Sequence, residues 1–347
     1  MEINGCSRDY IGKSPPQGSA YYIGAYEDLV EVKLAPNSLE QPTVTMKVSQ
    51  LIRGCARTLP FPFRVFLGLC RKGYLPSYLY DHWLSQAIEN DLYAKSDWVG
   101  RLVYLTDGIR IEVDPRDYLG KRIIKYGCYE PETVDFIQKF IKPGMTVLDI
   151  GANVGYYSLL ASRLVGSAGS VHSFEPHPLM YRVLNHNLRR NRCWNVVANN
   201  SAISNEKGEA QLFLSTPSNF GSTSLTPAWN YSGQPVSVQR ITLDSYVRSK
   251  AVRQIDLIKI DVEGAEIQAL QGATAALSEH PNLLLVVEFC EGVANRFGHS
   301  TADLATFLRD HGFHLFRLET GKLEAYQPRT DEPSFFNIVA SRAAKLC

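Results

Sequence analysis

The sequence predicts an α/β fold, a mostly parallel sheet with helices on both faces, and three observations carry that reading. From residue 146 onward, short apolar runs of strand length alternate with amphipathic stretches of helical period. One of the strands, Val147-Leu-Asp-Ile150, runs straight into a small-residue turn, Gly151-Ala-Asn-Val-Gly155, that opens a helix. The composition is that of an ordinary globular protein, 347 residues with 45% hydrophobic and 20% charged side chains.

Taken in order, residues 1 to 45 mix Gly, Pro, Ser and Tyr without a sustained apolar period and read as irregular. Between Val48 and Ala94 the pattern turns helical, broken by Pro60, Pro62 and Pro76. Leu102 to Val113 holds two alternating runs around Asp107-Gly108, a hairpin signal. Glu130-Pro-Glu132 opens a helix with acids at its positive end, and Lys142-Pro-Gly144 follows its close. Strands are expected at Thr146–Ile150, Ser170–Phe174, Asn195–Ala198, Leu257–Ile260 and Leu283–Phe289, and helices at Tyr156–Val165, Leu179–Asn191 and Ala265–Leu277. Phe313–Leu318 and Phe335–Ala340 are read as an antiparallel pair at one edge, separated by a polar turn region. The segment 204–240, rich in Ser, Thr, Gly and Pro, is a long insertion with a hairpin expected around Lys207-Gly208. Its Phe220-Gly-Ser-Thr-Ser-Leu225 stretch and Trp229 are candidates for a lid or acceptor wall.

The turn after the first strand of the alternating region lies at the carboxyl edge of the sheet, where open α/β folds bind ligands. A dinucleotide fingerprint needs G-x-G-x-x-G, but the second and third glycine positions hold Asn153 and Tyr156. Asp149, just before the turn, would repel a pyrophosphate and pair with an ammonium group. Glu175 ends the next strand about 25 residues on, where an acid accepts hydrogen bonds from ribose hydroxyls. Adenosine plus an ammonium group describes S-adenosylmethionine, and disfavours the rival reading of a nicotinamide-dependent oxidoreductase. A cofactor-binding protein without catalysis is a third reading, raised by the unexplained N-terminal hundred residues.

With these residues in place, the chain resembles the class I S-adenosylmethionine-dependent methyltransferases and, more narrowly, the FkbM family. The matching stretches are Tyr126-Gly-Cys-Tyr-Glu-Pro131, Val147 to Tyr157, Ser173-Phe-Glu-Pro176, Thr242-Leu-Asp-Ser-Tyr246, Ile255 to Glu266 and Phe336-Asn-Ile-Val339, covering residues 120–340 in the family's order. The resemblance implies a Rossmann-like, seven-stranded sheet whose last strand is antiparallel. It also implies that Asp149, Gly151, Ala152, Asn153 and Gly155 hold the methionine end of the cofactor, and Glu175 its ribose. Asn200 and Ser201, just past the third strand, would lie near the adenine. The organisation expected is an irregular and helical arm over 1–98, outside the resemblance, and a catalytic domain over 99–347.

Three acids end the fourth and fifth strands of the alternating region: Asp261 and Glu263 in Ile258-Lys-Ile-Asp-Val-Glu-Gly264, and Glu288 in Val286-Val-Glu-Phe289. They are the candidate catalytic residues, as bases for an acceptor hydroxyl, ahead of His177 and His314. The plainer reading for Asp261 or Glu263 is a cap on the helix after Gly264. Asp261 with Glu288 could hold a divalent ion but is an incomplete ligand set, and none of the eight histidines falls in a zinc-like cluster, so no metal ligand is assigned and metal dependence is left open. The fourth strand lacks the Asn/Asp-Pro-Pro-aromatic tetrapeptide of exocyclic-amine base methyltransferases, and the chain lacks the Pro-Cys nucleophile of cytosine-C5 enzymes. Oxygen methylation of a small molecule, sugar or natural product is what the resemblance favours.

The 36 Lys and Arg against 35 Asp and Glu give a net charge of +1, which argues against nucleic acid and for an uncharged or small acceptor. Seven cysteines without a C-x-x-C pair fit a reducing compartment, so a cytoplasmic location is expected. The apolar run Leu59 to Cys70 is too short and too interrupted to span a membrane. Homo-oligomerisation is left open.

Overall fold

In the computed structural model of the chain, the described residues are 29–32, 44–47 and 98–345, less 106–107, 228–230, 232–233, 320–321 and 328–334. The chain divides into two compact units, Met1–Asp97 and Trp98–Cys347. In the first, β1 (Leu29–Val32) pairs antiparallel with β2 (Val44–Lys47). This ladder falls mainly in the stretch read as irregular; two four-residue runs are too short to display a period, though their valines favour strand. The helices expected between Val48 and Ala94 lie outside the described residues.

The second unit opens with β3 (Arg101–Tyr104) and β4 (Arg110–Val113), the expected hairpin, with Gly108 at φ +81°. Asp117 caps α1 (Tyr118–Tyr126) by accepting from the Gly120 amide, and Pro131 begins α2 (Pro131–Phe140). The alternation follows: β5 (Thr146–Ile150), α3 (Tyr156–Val165), β6 (Ser170–Phe174), α4 (Pro178–Arg190) and β7 (Val196–Asn199).

The insertion differs from expectation. β8 (Ala202–Ile203) and β9 (Gly208–Leu212) flank the Lys207-Gly208 turn but do not pair with each other. β10 (Val236–Ile241) runs between them, antiparallel to β9 and parallel to β8, so the partner of β9 comes from the far end of the insertion.

After α5 (Leu243–Ser249) and β11 (Leu257–Ile260) come two helices where one is expected, α6 (Glu266–Gln271) and α7 (Thr274–Glu279). Gly272 breaks them: it sits so close to the Ser204 carbonyl that a Cβ there would overlap it. Asp244 of α5 accepts from the amides of Ala275 and Ala276 at 3.0 and 2.9 Å and so restarts the helix. The chain ends with β12 (Leu284–Phe289), α8 (Glu291–Ala294), α9 (Thr301–Asp310), β13 (His314–Glu319), β14 (Lys322–Ala325) and β15 (Phe336–Ser341).

The main sheet has the order β14-β13-β15-β12-β11-β5-β6-β7. β12, β11, β5, β6 and β7 are parallel, and the last strand, β15, is antiparallel to both its neighbours, β12 and β13. The seven expected strands are joined by an eighth, β14, which folds back on β13 within the stretch read as a polar turn. A core packs on one face of the sheet: Leu148, Phe174, Ile258, Leu285 and Ile338 from the strands, with Leu270, Leu277, Leu304 and Leu308 from α6, α7 and α9. From β5 the chain winds outward through β6 to β7, then returns to the other side of β5 as β11. The carboxyl ends of β5 and β11 therefore flank the switch point, the place where open α/β sheets carry their ligand site.

Candidate active site

The β5–α3 turn is fixed by its backbone. The amides of Gly151 and Ala152 both donate to the Phe174 carbonyl at 3.0 Å, and the Gly155 amide donates to the Ala152 carbonyl at 2.8 Å. Gly151, at φ +86°, lies against the Asp261 carbonyl, where a Cβ would overlap that oxygen, so glycine lets the ends of β5 and β11 converge. Asn153 takes φ +49°, and its amide donates to Glu175 Oε2 at 2.7 Å. Asp149 is buried beneath the turn; its Oδ2 accepts from Ser158 Oγ at 2.6 Å and its Oδ1 has no hydrogen-bond partner. Burial raises its carboxyl, with Lys259 acting against that rise.

At the end of β6, Glu175 accepts from Asn153 and, on Oε1, from the His177 amide at 2.8 Å. Burial still pushes its carboxyl up to about 7. Ser201 is buried with an unpartnered hydroxyl. Asn200 is exposed, and its side-chain amide donates to the carbonyls of Glu175 and Pro176 at 2.8 and 3.0 Å, bracing the β6–α4 connection.

The β11–α6 turn displays the acids. Glu263 and Gly264 take φ +54° and +101°, and a Cβ on Gly264 would run into the Phe297 ring. Neither Asp261 nor Glu263 caps α6. That turn is held instead by Glu266, whose Oε1 accepts from the Val262 and Gly264 amides at 3.1 and 3.2 Å. Burial pushes Glu266 up to about 7, and it raises Glu263 and Glu288 well above the carboxylate range, with Asp261 adding to both.

Residues that sequence reading did not single out complete the site. Lys259, in the otherwise apolar strand Leu-Ile-Lys-Ile, is 2% exposed and donates to Asp261 Oδ2 at 2.7 Å. A lysine inside a buried strand is itself the signal, since it needs a partner. Glu130, Tyr157 and Asn337 form a second buried cluster behind it. The insertion arches over the acids: the Phe220 amide donates to Asp117 Oδ1 at 2.8 Å and Ser224 Oγ donates to the Glu263 carbonyl at 3.0 Å. Trp229 lies outside the described residues.

These elements enclose a cavity of about 330 Å³. Gly151, Ala152, Asn153, Glu175 and Ser201 line one part of it, and Asp261, Glu263 and Glu288 another, with Tyr129, Phe220 and Phe335 among its aromatic walls. Asp149, Gly155 and Asn200 are not on its surface. Gly155 instead packs against Leu184, and Asp149 supports the turn from below. Among the described residues, no group of three or more His, Cys, Asp or Glu is arranged to hold a metal, and no helix is long and apolar enough to cross a membrane.

The donor set fits an adenosine ligand bearing a positive charge. Glu175 lines the cavity with a buried carboxyl, the buried Ser201 hydroxyl lacks a hydrogen-bond partner, the glycine turn lines the same part, and acids predominate at the other.

Residues 149–315 match the family model described as the methyltransferase FkbM domain. The chain is 26% identical over 223 residues to the 31-O-demethyl-FK506 methyltransferase FkbM of Streptomyces tacrolimicus, covering 56% of this chain and 81% of that one. It is 29% identical over 204 residues to the methyltransferase sdnD of Sordaria araneosa, covering 49% of this chain and 74% of that one. Among solved structures, the precorrin-6y C5,15-methyltransferase of Geobacter metallireducens GS-15 aligns at a TM-score of 0.38 and 13% identity, covering 62% of this chain and 90% of that one.

Proposed function

The chain belongs to the FkbM family of S-adenosylmethionine-dependent methyltransferases, and from that premise we propose that it methylates a hydroxyl oxygen of a small molecule, sugar or natural product, with Asp261 as proton acceptor. The observation that carries this reading is the convergence of the glycine turn, Glu175 and three acids on one cavity. The relative from Streptomyces tacrolimicus is named for an O-demethyl acceptor, which supports oxygen as the atom methylated.

When bound, S-adenosylmethionine supplies an electrophilic methyl group, whose bond to sulfur breaks with its electron pair on sulfur as the acceptor oxygen forms the new bond. In this reading Glu175 accepts the ribose hydroxyls, Gly151, Ala152 and Asn153 cradle the methionine end, and Ser201 donates to the adenine side. Asp149 contributes negative charge from beneath the turn, and Gly155 and Asn200 shape the loops without touching the ligand.

Of Asp261, Glu263 and Glu288, Asp261 is the one hydrogen-bonded to the Lys259 ammonium, which fixes its carboxyl at the cavity wall, and in this reading it takes the hydroxyl proton. Glu263 and Glu288, whose carboxyls burial and neighbouring acids push above the ordinary carboxylate range, line the cavity beside Asp261 and orient the acceptor. The aromatic wall and the Phe220 arch exclude water. Alignment of the reactants supplies roughly 7–11 kcal/mol of the barrier reduction, against a factor of about 10²–10⁴ for the base, so the cavity's shape matters more than any one acid.

The test is transfer of labelled methyl into an extract of the source organism, followed by mass identification of the product. An O-methyl product that depends on Asp261 supports the reading. Cofactor binding with no transfer to any acceptor overturns it.

A further inference from the structure

The cavity acids are served by one buried ammonium, and that ammonium is itself held from behind. Glu130 stands immediately before α2 with φ +46°, yet its side chain makes no cap to the helix it precedes. A left-handed backbone at a non-glycine residue is strained and persists only where the surroundings enforce it. Here the carboxylate turns inward: Tyr157 Oη donates to its Oε2 at 2.6 Å, and Asn337 Nδ2 donates to the same oxygen at 2.8 Å. Lys259 Nζ lies over the Tyr157 ring, 4.6 Å from its centre, and donates to Asp261 Oδ2 at 2.7 Å. A continuous line, Asn337–Glu130–Tyr157–Lys259–Asp261, thus crosses from β15 through the start of α2 and through α3 to β11.

The first two members lie off the cavity surface and the last three line it. Glu130 and Asn337 therefore act from off the cavity, Glu130 through its bond to Tyr157 and its charge near Lys259, and Asn337 through Glu130. The strand register also sets Lys259 beside Asp149 of β5, so three acids, Asp261, Glu130 and Asp149, act on the ammonium. Its hydrogen bond goes to Asp261, while the Tyr157 ring, anchored by its bond to Glu130, packs against it as a cation–π partner.

We propose that Glu130 and Tyr157 are positioning residues for the Lys259–Asp261 pair, a buried brace that aims the proton-accepting carboxylate of this site. The proposal rests on the reading of Asp261 as the proton acceptor. It also accounts for a tyrosine–glutamate pair and an asparagine that lie far apart in sequence yet meet on one carboxylate oxygen.

The experiment follows the Lys259 ammonium by ¹⁵N-edited NMR in the full chain, assigned with Lys259→Met. In the native protein the signal is sharp and slow to exchange. In Glu130→Gln and Tyr157→Phe, each nearly isosteric, it broadens and exchanges at least tenfold faster. S-adenosylhomocysteine affinity stays within about threefold of native, and labelled-methyl transfer falls about tenfold. An unaltered ammonium signal in both variants overturns the brace. Full transfer by Asp261→Asn, with the ammonium still loosened in the other two, overturns the base assignment and leaves the brace standing.

Discussion

Glu175 titrates where the cofactor half of the site can be tested directly. Burial pushes its carboxyl from an ordinary 4.5 up to about 7, although the His177 and Asn153 amides act to lower it. In the proposed complex the ribose hydroxyls donate to the ionised carboxylate, so below pH 7 a proton must leave before the ligand binds. With a midpoint near 7, the ionised fraction is roughly one tenth at pH 6 and nine tenths at pH 8, and affinity for S-adenosylhomocysteine rises about tenfold across that interval. Glu175→Gln removes the titration and the charge. A hydrogen bond to a charged group is worth about 1.5–3 kcal/mol, so affinity at pH 8 falls about 10- to 100-fold and its slope between pH 6 and 8 flattens. Glutamine also leaves the Asn153 or His177 amide facing a donor, which costs about 1–3 kcal/mol of stability. For folding the pH sign is opposite to that for binding. A carboxyl raised in the folded state stabilises it most below about 4.5, and that contribution, about 3 kcal/mol, is lost as pH rises through 7. Calorimetric titration at pH 6, 7 and 8 reads the binding effect. A flat native affinity, or a tenfold rise that persists in Glu175→Gln, refutes the ribose assignment.

Three further predictions concern the framework. Gly151→Ala forces a Cβ into the Asp261 carbonyl at a left-handed backbone position, so S-adenosylhomocysteine binding drops by more than 100-fold in whatever protein folds; near-native affinity by calorimetry would show that the β5 and β11 ends are not so tightly joined. Glu266→Ala strips the acceptor from the Val262 and Gly264 amides and lowers stability by about 2–4 kcal/mol in urea unfolding, while Glu266→Gln, which keeps one acceptor oxygen, loses less than half of that. Asp117→Ala removes both the α1 cap and the acceptor for Phe220, costing about 1–2 kcal/mol and speeding hydrogen exchange at the Phe220 amide; unchanged exchange there would mean the arch is held by other contacts.

The frame of the second unit was legible because its strands are short apolar runs whose ends coincide with turn residues. Thr146–Ile150, Ser170–Phe174 and Leu257–Ile260 are read to the residue, as is the helix Tyr156–Val165. What was hidden depends on partners remote in sequence. The α6–α7 break follows from the approach of Gly272 to Ser204 and from a cap supplied by Asp244. The Lys207-Gly208 turn joins strands that β10 then separates. β14 carries no apolar period, having only β13 to pair with at the sheet edge.

The site follows the same division. Glu175, Asp261, Glu263 and Glu288 stand at strand ends, so the topology alone brings them to one edge, and the structure places all four on the cavity. Asn200 stands at a strand end too, but its side chain finds backbone carbonyls on the outer side. Glu130 and Asn337, 207 residues apart, meet through an α2–β15 contact that no local pattern announces. Lys259 was visible as a charge in an apolar strand, yet its partner, two residues on, becomes evident only when both are seen facing the same cavity.

The central claim is that this chain moves a methyl group to a hydroxyl oxygen with Asp261 taking the proton. Incubating the native protein and Asp261→Asn with labelled S-adenosylmethionine and an extract of the source organism, then fragmenting the labelled product by mass spectrometry, tests it most directly. The account predicts a methyl ether in the native reaction and a rate at least about 100-fold lower in the variant, at unchanged cofactor affinity. A product methylated on nitrogen or carbon, or an Asp261→Asn rate close to native, would contradict it.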